Sequence, residues 1–554
     1  MMFRGRRRVP ALATAFAMVG LIAACGGGGD DTGAGSDGSS SGTTVAEGEP
    51  QPGGSITISP GLAPLVGLDP TQATVTGCCG GSELMLIYDT LVKYDVETAS
   101  YEMGTAESLE PNADATEWTL VLKPDITFTD GNPYDADAVK LNVERHLESP
   151  RSQEYPLLTQ LLDSVEVVDP LTVVFRLEQP WTNFPVTLAA GAGMIASPAA
   201  IDAAGEDFNV SPGAAGAGPF TVKEFTPNES LVLVRNDDYY GGEVYLDQIT
   251  STFIAGSDAQ LQSVESGTLQ GVQLSTPEDR QRAIDAGLGV LDVPYYLGNL
   301  VLMNGGSVAC AGGAPAAQCA GEPDGTIVDL GSATADPRVR RAVAHAIDES
   351  VVSERVYGGT LDTYRTLFPE TFRWDPGVDG PGYDPDEASE LVDEAKADGW
   401  DGKIRISIGV PTPTLTTYAQ VLETMLSAVG MEPSIETDVP LSAIQVDRDF
   451  DLYPQFGFGT SEDRVFEGLF SSVRNYRYGY DSEAMNQALD DLGAASTDDA
   501  KVDAYERIAE IWNEDVPAAV VGEGYRYFIS DPDLHGVDVT AWQMIDLRKA
   551  WLDQ

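Results

Sequence analysis

Short runs of alternating apolar and polar residues recur along the chain, separated by segments with helical periodicity. Residues 55–58 alternate as a half-buried strand does, and residues 118–122 and 126–129 also read as strands. Residues 165–177 predict a hairpin turning at Asp169-Pro170, and residues 84–92 predict a short helix. Strands that alternate with helices indicate mixed α/β domains.

Three later segments carry clearer helix signals. Asp336 and Asp384 each stand before a proline, as an N-cap before an N1 proline does. Glu387 adds the capping-box position to the second of these helices. A third apolar stripe over residues 418–429 ends at Gly430, which suits a helix stop. We interpret all three stripes as core.

The first 25 residues read as an export signal. Arg4, Arg6, Arg7 and Arg8 precede an apolar run over residues 9–22, and small residues lead to Cys25. This order is typical of a secretory signal and is too short for a permanent membrane span. With cysteine at the cut, it resembles a bacterial lipobox, in which Cys25 is diacylated and becomes the mature N-terminus. The alternative is an ordinary signal with an incidental cysteine.

The next segment reads as a tether. Residues 26–52 are rich in Gly, Ser, Thr, Asp and Glu, so they offer little to bury and predict a flexible linker. Its reach is on the order of 30 Å. No later run of about 18 apolar residues predicts a span. We therefore expect the protein at the outer face of the cytoplasmic membrane, held there only through lipidated Cys25.

Size and charge restrict the remaining chain. About 500 residues follow the tether, enough for two or three domains. The net charge of −55 becomes −59 when the four signal arginines are removed. Such a charge argues against nucleic-acid binding, which needs clustered cations. It suits either cationic ligands or a solvated acidic surface, and we favour the surface.

Four cysteines remain after Cys25, and outside the cytoplasm they can form disulfides. Four cysteines allow three connectivities. We favour a local Cys310–Cys319 bridge, worth about 2–3 kcal/mol on the chain-entropy model. Cys78 and Cys79 would then be free or joined as neighbours, a strained arrangement. Crossed pairings remain the alternative.

The sequence carries no recognisable catalytic motif. His146, His345 and His535 are far apart and lack metal-ligand spacing, and we expect His146 and His345 to be structural. There is no nucleophile elbow, Walker loop or dinucleotide fingerprint. Carboxylate pairs are too common in this acidic chain to be informative. We therefore expect no enzyme activity, no metal site and no cofactor.

An ordered set of short motifs gives a more specific signal. Together these motifs resemble the extracytoplasmic solute-binding proteins of peptide- and nickel-type ABC importers, family 5. The resemblance runs from about residue 53 to the C-terminus. Its residues are Leu68-Asp69-Pro70, Tyr88-Asp89-Thr90-Leu91-Val92, Ala106-Glu107-Ser108-Leu109, Trp118-Thr119-Leu120, Phe128-Thr129-Asp130-Gly131, Ala136-Asp137-Ala138-Val139, Gly218-Pro219-Phe220, Arg235-Asn236, Tyr239-Tyr240 and the run from Asp336 to Asp348.

The resemblance implies a two-lobed periplasmic-binding-protein type II α/β fold with an extra α/β domain inserted in the first lobe. Lobe I would comprise residues 53–96, 217–296 and 523–554. The insert would cover residues 97–216, and lobe II residues 297–522. Ligand would bind in the cleft between the lobes and shift a pre-existing open–closed equilibrium.

The family lines its cleft with three stretches, which here are residues 76–82, 455–463 and 474–480. In peptide-binding relatives an aspartate pairs with the ligand's α-amine, but Ser461 occupies that place here. Aromatic rings would stack on ligand and Arg474 would bind a carboxylate or phosphate; the alternative is that many of these aromatics are core. The expected ligand-contact residues are Cys78, Cys79, Phe456, Phe458, Ser461, Glu462, Asp463, Arg474, Asn475, Tyr476 and Tyr478.

The sequence therefore predicts a lipid-anchored, monomeric receptor of an ABC importer that captures an oligopeptide-like or other bulky polar solute. Its expected partners are that ligand and the permease with its ATPase subunits. A nickel chelate or an oligosaccharide is the alternative ligand. A tethered secreted hydrolase is the alternative from another functional class.

Overall fold

The computed structural model describes residues 49–61, 65–73, 75–77, 79–96, 98, 100–213, 215–310, 317–323, 326–409, 411–437, 439–440, 443–444, 447–455, 479–480 and 482–553. Within these ranges the strands are β1 (Ser55–Ser59), β2 (Val92–Asp95), β3 (Ser100–Met103), β4 (Ala106–Pro111), β5 (Glu117–Leu122), β6 (Leu162–Asp169), β7 (Thr172–Leu177), β8 (Phe220–Thr226), β9 (Ser230–Arg235), β10 (Gln248–Thr252), β11 (Gly271–Leu274), β12 (Gly289–Met303), β13 (Ser307–Ala309), β14 (Ile327–Asp329), β15 (Lys403–Ser407), β16 (Glu432–Glu436), β17 (Leu452–Gln455), β18 (Ala518–Ser530), β19 (Leu534–His535), β20 (Asp538–Thr540), β21 (Met544–Asp546) and β22 (Trp551–Leu552).

Helices cover these sheets. In the described ranges they are α1 (Gly81–Tyr88), α2 (Ala136–Glu148), α3 (Tyr155–Leu161), α4 (Pro185–Leu188), α5 (Pro198–Ala204), α6 (Ser257–Glu265), α7 (Pro277–Asp285), α8 (Pro337–Ala346), α9 (Glu349–Tyr357), α10 (Pro385–Ala397), α11 (Pro413–Ala428), α12 (Glu483–Ala494) and α13 (Asp498–Asp515). Of the helices in this part of the chain, none has the length and apolar character that a bilayer crossing requires.

The central sheet has the strand order β16-β15-β17-β12-β18-β11-β1-β10-β9-β8. β1 runs parallel to its neighbours β10 and β11, and β15 runs parallel to β16 and β17. β12 and β18 lie between these two parallel groups and pair with each other antiparallel. The parallel group β10-β1-β11 and the parallel group β16-β15-β17 are thus joined through the antiparallel strands β12 and β18.

The β12–β18 pair is the longest ladder of the sheet, and its register shifts twice within one interrupted stretch. Pairing runs from Gly289–Ser530 to Tyr295–Gly524 and resumes from Leu300–Val520 to Leu302–Ala518. Inside the interruption Asn299 pairs with Gly522. We call this part of the ladder the crossover. It is the point where the sheet passes from one parallel group to the other.

A second sheet, with order β4-β5-β7-β6, lies within residues 97–216. Helices α2 and α3 pack on it and on each other. Their shared core includes Trp118, Val139, Leu158, Phe175 and Trp181. This four-stranded antiparallel unit has its own hydrophobic core, because its strands turn alternate apolar side chains toward α2 and α3.

This second unit also touches the C-terminal helices. The Thr182 backbone N–H donates to the Gly493 carbonyl at 2.7 Å, and the Thr182 hydroxyl donates to the Ala495 carbonyl at 3.0 Å. Lys501 Nζ donates to Asn183 Oδ1 at 3.1 Å. A Cβ at Gly493 would overlap the indole of Trp181, so the approach requires glycine.

A buried ion-pair network holds three distant segments together. Asp89 is fully buried, and Arg548 donates to its Oδ1 at 2.7 Å across 459 residues of sequence. The hydroxyls of Tyr239 and Tyr240 both donate to Asp89 Oδ2 at 2.6 Å. Burial alone would raise the pKa of Asp89, but Lys93, Arg548 and the two hydroxyls outweigh it and lower that pKa to about 2.

Most predicted elements match the structure, with two corrections. The N-caps at Asp336 and Asp384 and the hairpin β6–β7 are confirmed. The helix predicted over residues 84–92 ends at Tyr88, because Asp89 takes a positive φ of 57° and the chain continues into β2. Residues 126–129 do not form a regular strand: Thr127 makes an isolated antiparallel bridge with Pro133, and a turn follows in which the Gly131 N–H donates to the Phe128 carbonyl at 2.8 Å.

A disulfide joins Cys310 and Cys319, whose Cα atoms are 5.4 Å apart, as in the local pairing that the sequence favours. Cys79 is also disulfide-bonded. His146 is buried between the Ser152 hydroxyl at 2.6 Å and the Gly191 carbonyl at 3.1 Å, so it is structural as expected.

Replacing Arg548 by Met should destabilise the protein by about 3–5 kcal/mol, because buried Asp89 would lose its hydrogen-bonded cation and keep only the more distant Lys93, at 3.9 Å. Urea unfolding measures this loss. Arg507→Met is the control, since its exposed pair with Glu510 is worth roughly 0–1 kcal/mol. Equal losses in the two variants would contradict the importance of the network.

The same network predicts that the free energy of unfolding falls at low pH. The pKa of Asp89 is lowered in the folded state, so its contribution is complete above the ordinary carboxyl pKa and is lost as pH falls toward 2. Asp89→Asn should therefore be less stable than the parent at pH 7 and approach it near pH 2. A stability difference that is independent of pH would contradict this assignment.

Candidate functional site

The carboxyl ends of three parallel strands meet at one edge of the central sheet. Ile58 near the end of β1 lies opposite Ser251 of β10, and Ser59 lies opposite Val272 of β11. In open α/β sheets ligands bind outside such carboxyl ends. The candidate site therefore lies at this edge and at the adjoining crossover.

The loop that follows β1 is fastened to the C-terminal segment. The Gly77 N–H donates to the Trp542 carbonyl at 2.8 Å, and the Ile545 N–H donates to the Ser82 hydroxyl at 2.9 Å. Cys79 is half-buried here, just before α1 begins. Of the predicted contact residues, Cys79 is the one that the described ranges contain.

Trp542 and Gln543 both adopt φ of 61°, a left-handed conformation that is costly for residues other than glycine. A Cβ on Gly77 would overlap the Gln543 carbonyl, so Gly77 allows this close approach. Gln273 donates to that carbonyl at 3.4 Å, and Arg526 donates to Gln273 Oε1 at 3.2 Å. This buried polar chain links the loop to β11 and β18.

A cavity of about 310 Å³, a volume that includes space open to solvent, lies beside the crossover. The Asn299 side chain forms one wall: Nδ2 donates to the Glu523 carbonyl, and Oδ1 accepts from the Tyr357 hydroxyl at 3.0 Å. We call this cavity the crossover pocket. Its lining residues are Ser275, Pro277, Asn299, Tyr357, Thr360, Leu361, Asp362, Glu523, Tyr525 and Tyr527.

The crossover pocket is acidic and aromatic. Burial, followed by repulsion from Asp362, raises the pKa of Glu523, although a hydrogen bond from Tyr525 lowers it in part. Arg280, which lies 5.9 Å from the Tyr527 ring centroid, is neutralised by a bidentate pair with Asp292 at 2.7 Å. The two lining carboxyls are therefore not matched by a lining cation, and the pocket suits an amine group beside an apolar or aromatic side chain.

The other predicted contact residues lie outside the described residues. They are Cys78, Phe456, Phe458, Ser461, Glu462, Asp463, Arg474, Asn475, Tyr476 and Tyr478, and the lipidation residue Cys25 also lies outside them. The residue before Phe456 is Gln455, which pairs with Leu300, the neighbour of Asn299. The predicted stretch thus begins next to the crossover pocket.

Sequence reasoning missed the residues of this pocket. Asn299, Asp362 and Glu523 belong to no local motif, and long-range pairing brings them together. The predicted lobe boundaries at 296/297 and 522/523 could have indicated these residues, because they lie next to Asn299 and Glu523. Within the described ranges, no three His, Cys, Asp or Glu side chains are arranged to hold a metal ion.

Comparisons with known proteins extend this picture. A family model described as bacterial extracellular solute-binding proteins, family 5 Middle, matches residues 100–477. A Brucella ovis protein, provisionally named an ABC transporter peptide-binding protein, is 23% identical in an alignment 490 positions long, which covers 82% of this chain and 85% of that protein.

Two solved structures share the fold. The oligopeptide-binding protein AppA of Bacillus subtilis, in complex with a nonapeptide, has a TM-score of 0.73 at 19% identity and covers 91% of this chain and 100% of its own. NikA of Brucella suis, in complex with Fe(III)-EDTA, has a TM-score of 0.72 at 20% identity and covers 90% and 100%. The predicted two-lobed type II α/β fold is thereby confirmed.

Glu523→Gln should stabilise the protein at pH 8 by about 1 kcal/mol, the size of a typical point-mutant effect. The pKa of Glu523 is raised in the folded state, so its contribution to stability is lost as pH rises through that pKa. At pH 4 the variant and the parent should match. Thermal unfolding at both pH values checks this, with the exposed Glu354→Gln as control. A variant less stable than the parent at pH 8 would contradict the proposed desolvation.

Proposed function

Because the chain belongs to the bacterial extracellular solute-binding proteins of family 5, we propose that it is the lipid-anchored receptor of an ABC importer. It captures an oligopeptide-like or other bulky polar solute between two lobes and delivers it to a membrane permease. The observation that carries the ligand assignment is the acidic, aromatic crossover pocket at the junction of the two parallel strand groups.

The crossover supports a closing motion. Lobe I comprises residues 53–96, 217–296 and 523–554, lobe II comprises residues 297–522, and residues 97–216 are the insert. Both links between the lobes then fall at the interruption of the β12–β18 ladder, where Asn299 pairs with Gly522. A hinge needs a few residues that absorb backbone rotation, and an interrupted ladder frees such residues from regular pairing.

The pocket chemistry favours a ligand with a free amine. Asp362 and Glu523 supply carboxyl oxygens, while Tyr525 and Tyr527 supply ring faces. A peptide presents an α-amine beside side chains of varied polarity, which matches this combination. The nonapeptide in AppA and the Fe(III)-EDTA in NikA mark the range of solutes in similar structures. A metal chelate is therefore the second ligand class to test.

The anchor gives the receptor its location. Cys25 is lipidated, and residues 26–52 act as a leash with a reach on the order of 30 Å. The Cys310–Cys319 disulfide suits an oxidising compartment outside the cytoplasm. A receptor held this way searches for its permease in two dimensions, and a single chain is sufficient for capture.

Short peptides with free N-termini should raise the melting temperature of the exported protein. Ligand at about 100 times its Kd stabilises the folded state by about 2.7 kcal/mol. N-acetylated peptides should shift the melt less, and Glu523→Gln should weaken binding of the free-amine peptide roughly tenfold, or about 1.4 kcal/mol. If a glycan or a metal chelate shifts the melt while no peptide does, the peptide assignment is wrong.

Cys25→Ala should move the protein from the membrane fraction to the soluble extracytoplasmic fraction, because it removes the acylated thiol. Immunoblots of separated fractions measure this redistribution, and Ser36→Ala in the tether is the control. A Cys25→Ala protein that still sediments with membranes would contradict lipid anchoring while leaving the receptor assignment intact.

A further inference from the structure

Glu83, in the first turn of α1, is a buried carboxyl that forms no ion pair with any residue the structure describes. Its side chain lies inside lobe I, and the residue is 4% exposed. Burial raises the pKa of Glu83, while a hydrogen bond from Ser251 lowers it in part. The raised pKa favours the neutral acid, which costs less to bury than a carboxylate.

One of the two carboxyl oxygens is unsatisfied. The Ser251 hydroxyl donates to Oε1 at 2.7 Å, whereas Oε2 is buried with no hydrogen-bond partner among the described residues. A buried polar atom without a partner costs about 1–3 kcal/mol. Once Glu83 loses its proton this oxygen becomes an acceptor, and a cation that donates a hydrogen bond to it would then remove that cost.

Glu83 faces a cavity of about 280 Å³, a volume that includes space open to solvent. Pro60, Leu65, Leu231 and Phe253 form apolar walls, and exposed Glu229 lies on the rim. Glu229 is the other titratable residue among the lining residues. The crossover pocket shares none of these residues.

We propose that this cavity, here called the Glu83 pocket, is a binding site for a small organic cation with a primary ammonium group. The ammonium donates to Oε2 of Glu83 and to the Ser251 oxygen, while its alkyl part contacts the apolar walls. Glu229 adds attraction at the entrance. An anion is disfavoured, because the two ionisable groups of the pocket are both acids.

Binding is coupled to proton release. The neutral Glu83 acid gives its proton to solvent and becomes a carboxylate, which then pairs with the incoming ammonium ion; no other bond changes. The affinity for the ammonium ion should therefore rise with pH, since less proton must be displaced. Proton release therefore distinguishes binding in the Glu83 pocket from non-specific attraction of cations to an acidic surface.

Isothermal titration of the exported protein with ethylammonium chloride tests the proposal. Titrations in phosphate and in Tris at one pH should give different heats, because the released proton is taken up by the buffer. KCl at the same ionic strength should not reproduce this difference. If KCl reproduces it, or if ethylammonium gives no heat beyond dilution, the proposal is overturned.

Glu83→Gln keeps the size of the side chain and removes the titrating proton. It should weaken ethylammonium binding at least tenfold and abolish the buffer dependence, whereas Glu265→Gln, on the exposed face of α6, should change neither. Unaltered binding in Glu83→Gln would overturn the assignment to this pocket. The buffer-dependence measurement on the parent protein stands even if the variant does not fold.

Discussion

The buried pair of Asp89 and Arg548 is the constraint on which the packing of α1 against the C-terminal segment depends. A carboxylate removed from water needs a cation and hydrogen-bond donors, and here Arg548, Tyr239 and Tyr240 supply them. These residues come from three segments that are remote in sequence. The charge at Asp89 therefore favours the observed arrangement of α1, the β9–β10 loop and the C-terminal segment, because that arrangement brings Arg548 and both tyrosine hydroxyls to the buried carboxylate.

The scarcity of cations makes such pairs informative. The chain has 87 acidic residues and only 32 lysines and arginines, yet Arg340, Arg526 and Arg548 are nearly buried. Arg340 donates to the Asp515 carbonyl at 2.7 Å and to the Thr334 carbonyl at 2.7 Å, so it joins α13 to the start of α8. Arginine is suited to this role because its planar fork binds several acceptors at once. Buried arginines thus cross-link the fold, while the acidic surface remains solvated.

Local patterns predicted the parts of the structure that depend on neighbours in sequence. The caps at Asp336 and Asp384 are local hydrogen bonds, so their residue types suffice to place a helix start. The end of α1 was missed because Asp89, where the helix ends with a positive φ, makes its ion pair with an arginine 459 residues away, which no local pattern signals. For the same reason the crossover pocket could not be derived, since Asn299 and Glu523 are brought together by pairing of strands more than 200 residues apart. The family resemblance supplied the fold, because it rests on many motifs in a fixed order.

The acidic residues of this chain differ in their surroundings, and those surroundings distinguish acids that stabilise the fold from acids that could bind a ligand. Asp89 and Glu83 are both buried, six residues apart. Cations lower the pKa of Asp89 and leave it a paired structural anion, whereas Glu83 pairs with no cation in the described part of the chain and burial raises its pKa. Glu523 resembles Glu83 in this respect, since burial and Asp362 raise its pKa too. Burying a carboxylate costs free energy, and an ammonium group that binds beside it offsets part of that cost. The crossover pocket and the Glu83 pocket each contain a buried or half-buried acid and, among their described lining residues, no lysine or arginine, so each can bind a cation from a ligand, whereas Asp89 is already paired with Arg548.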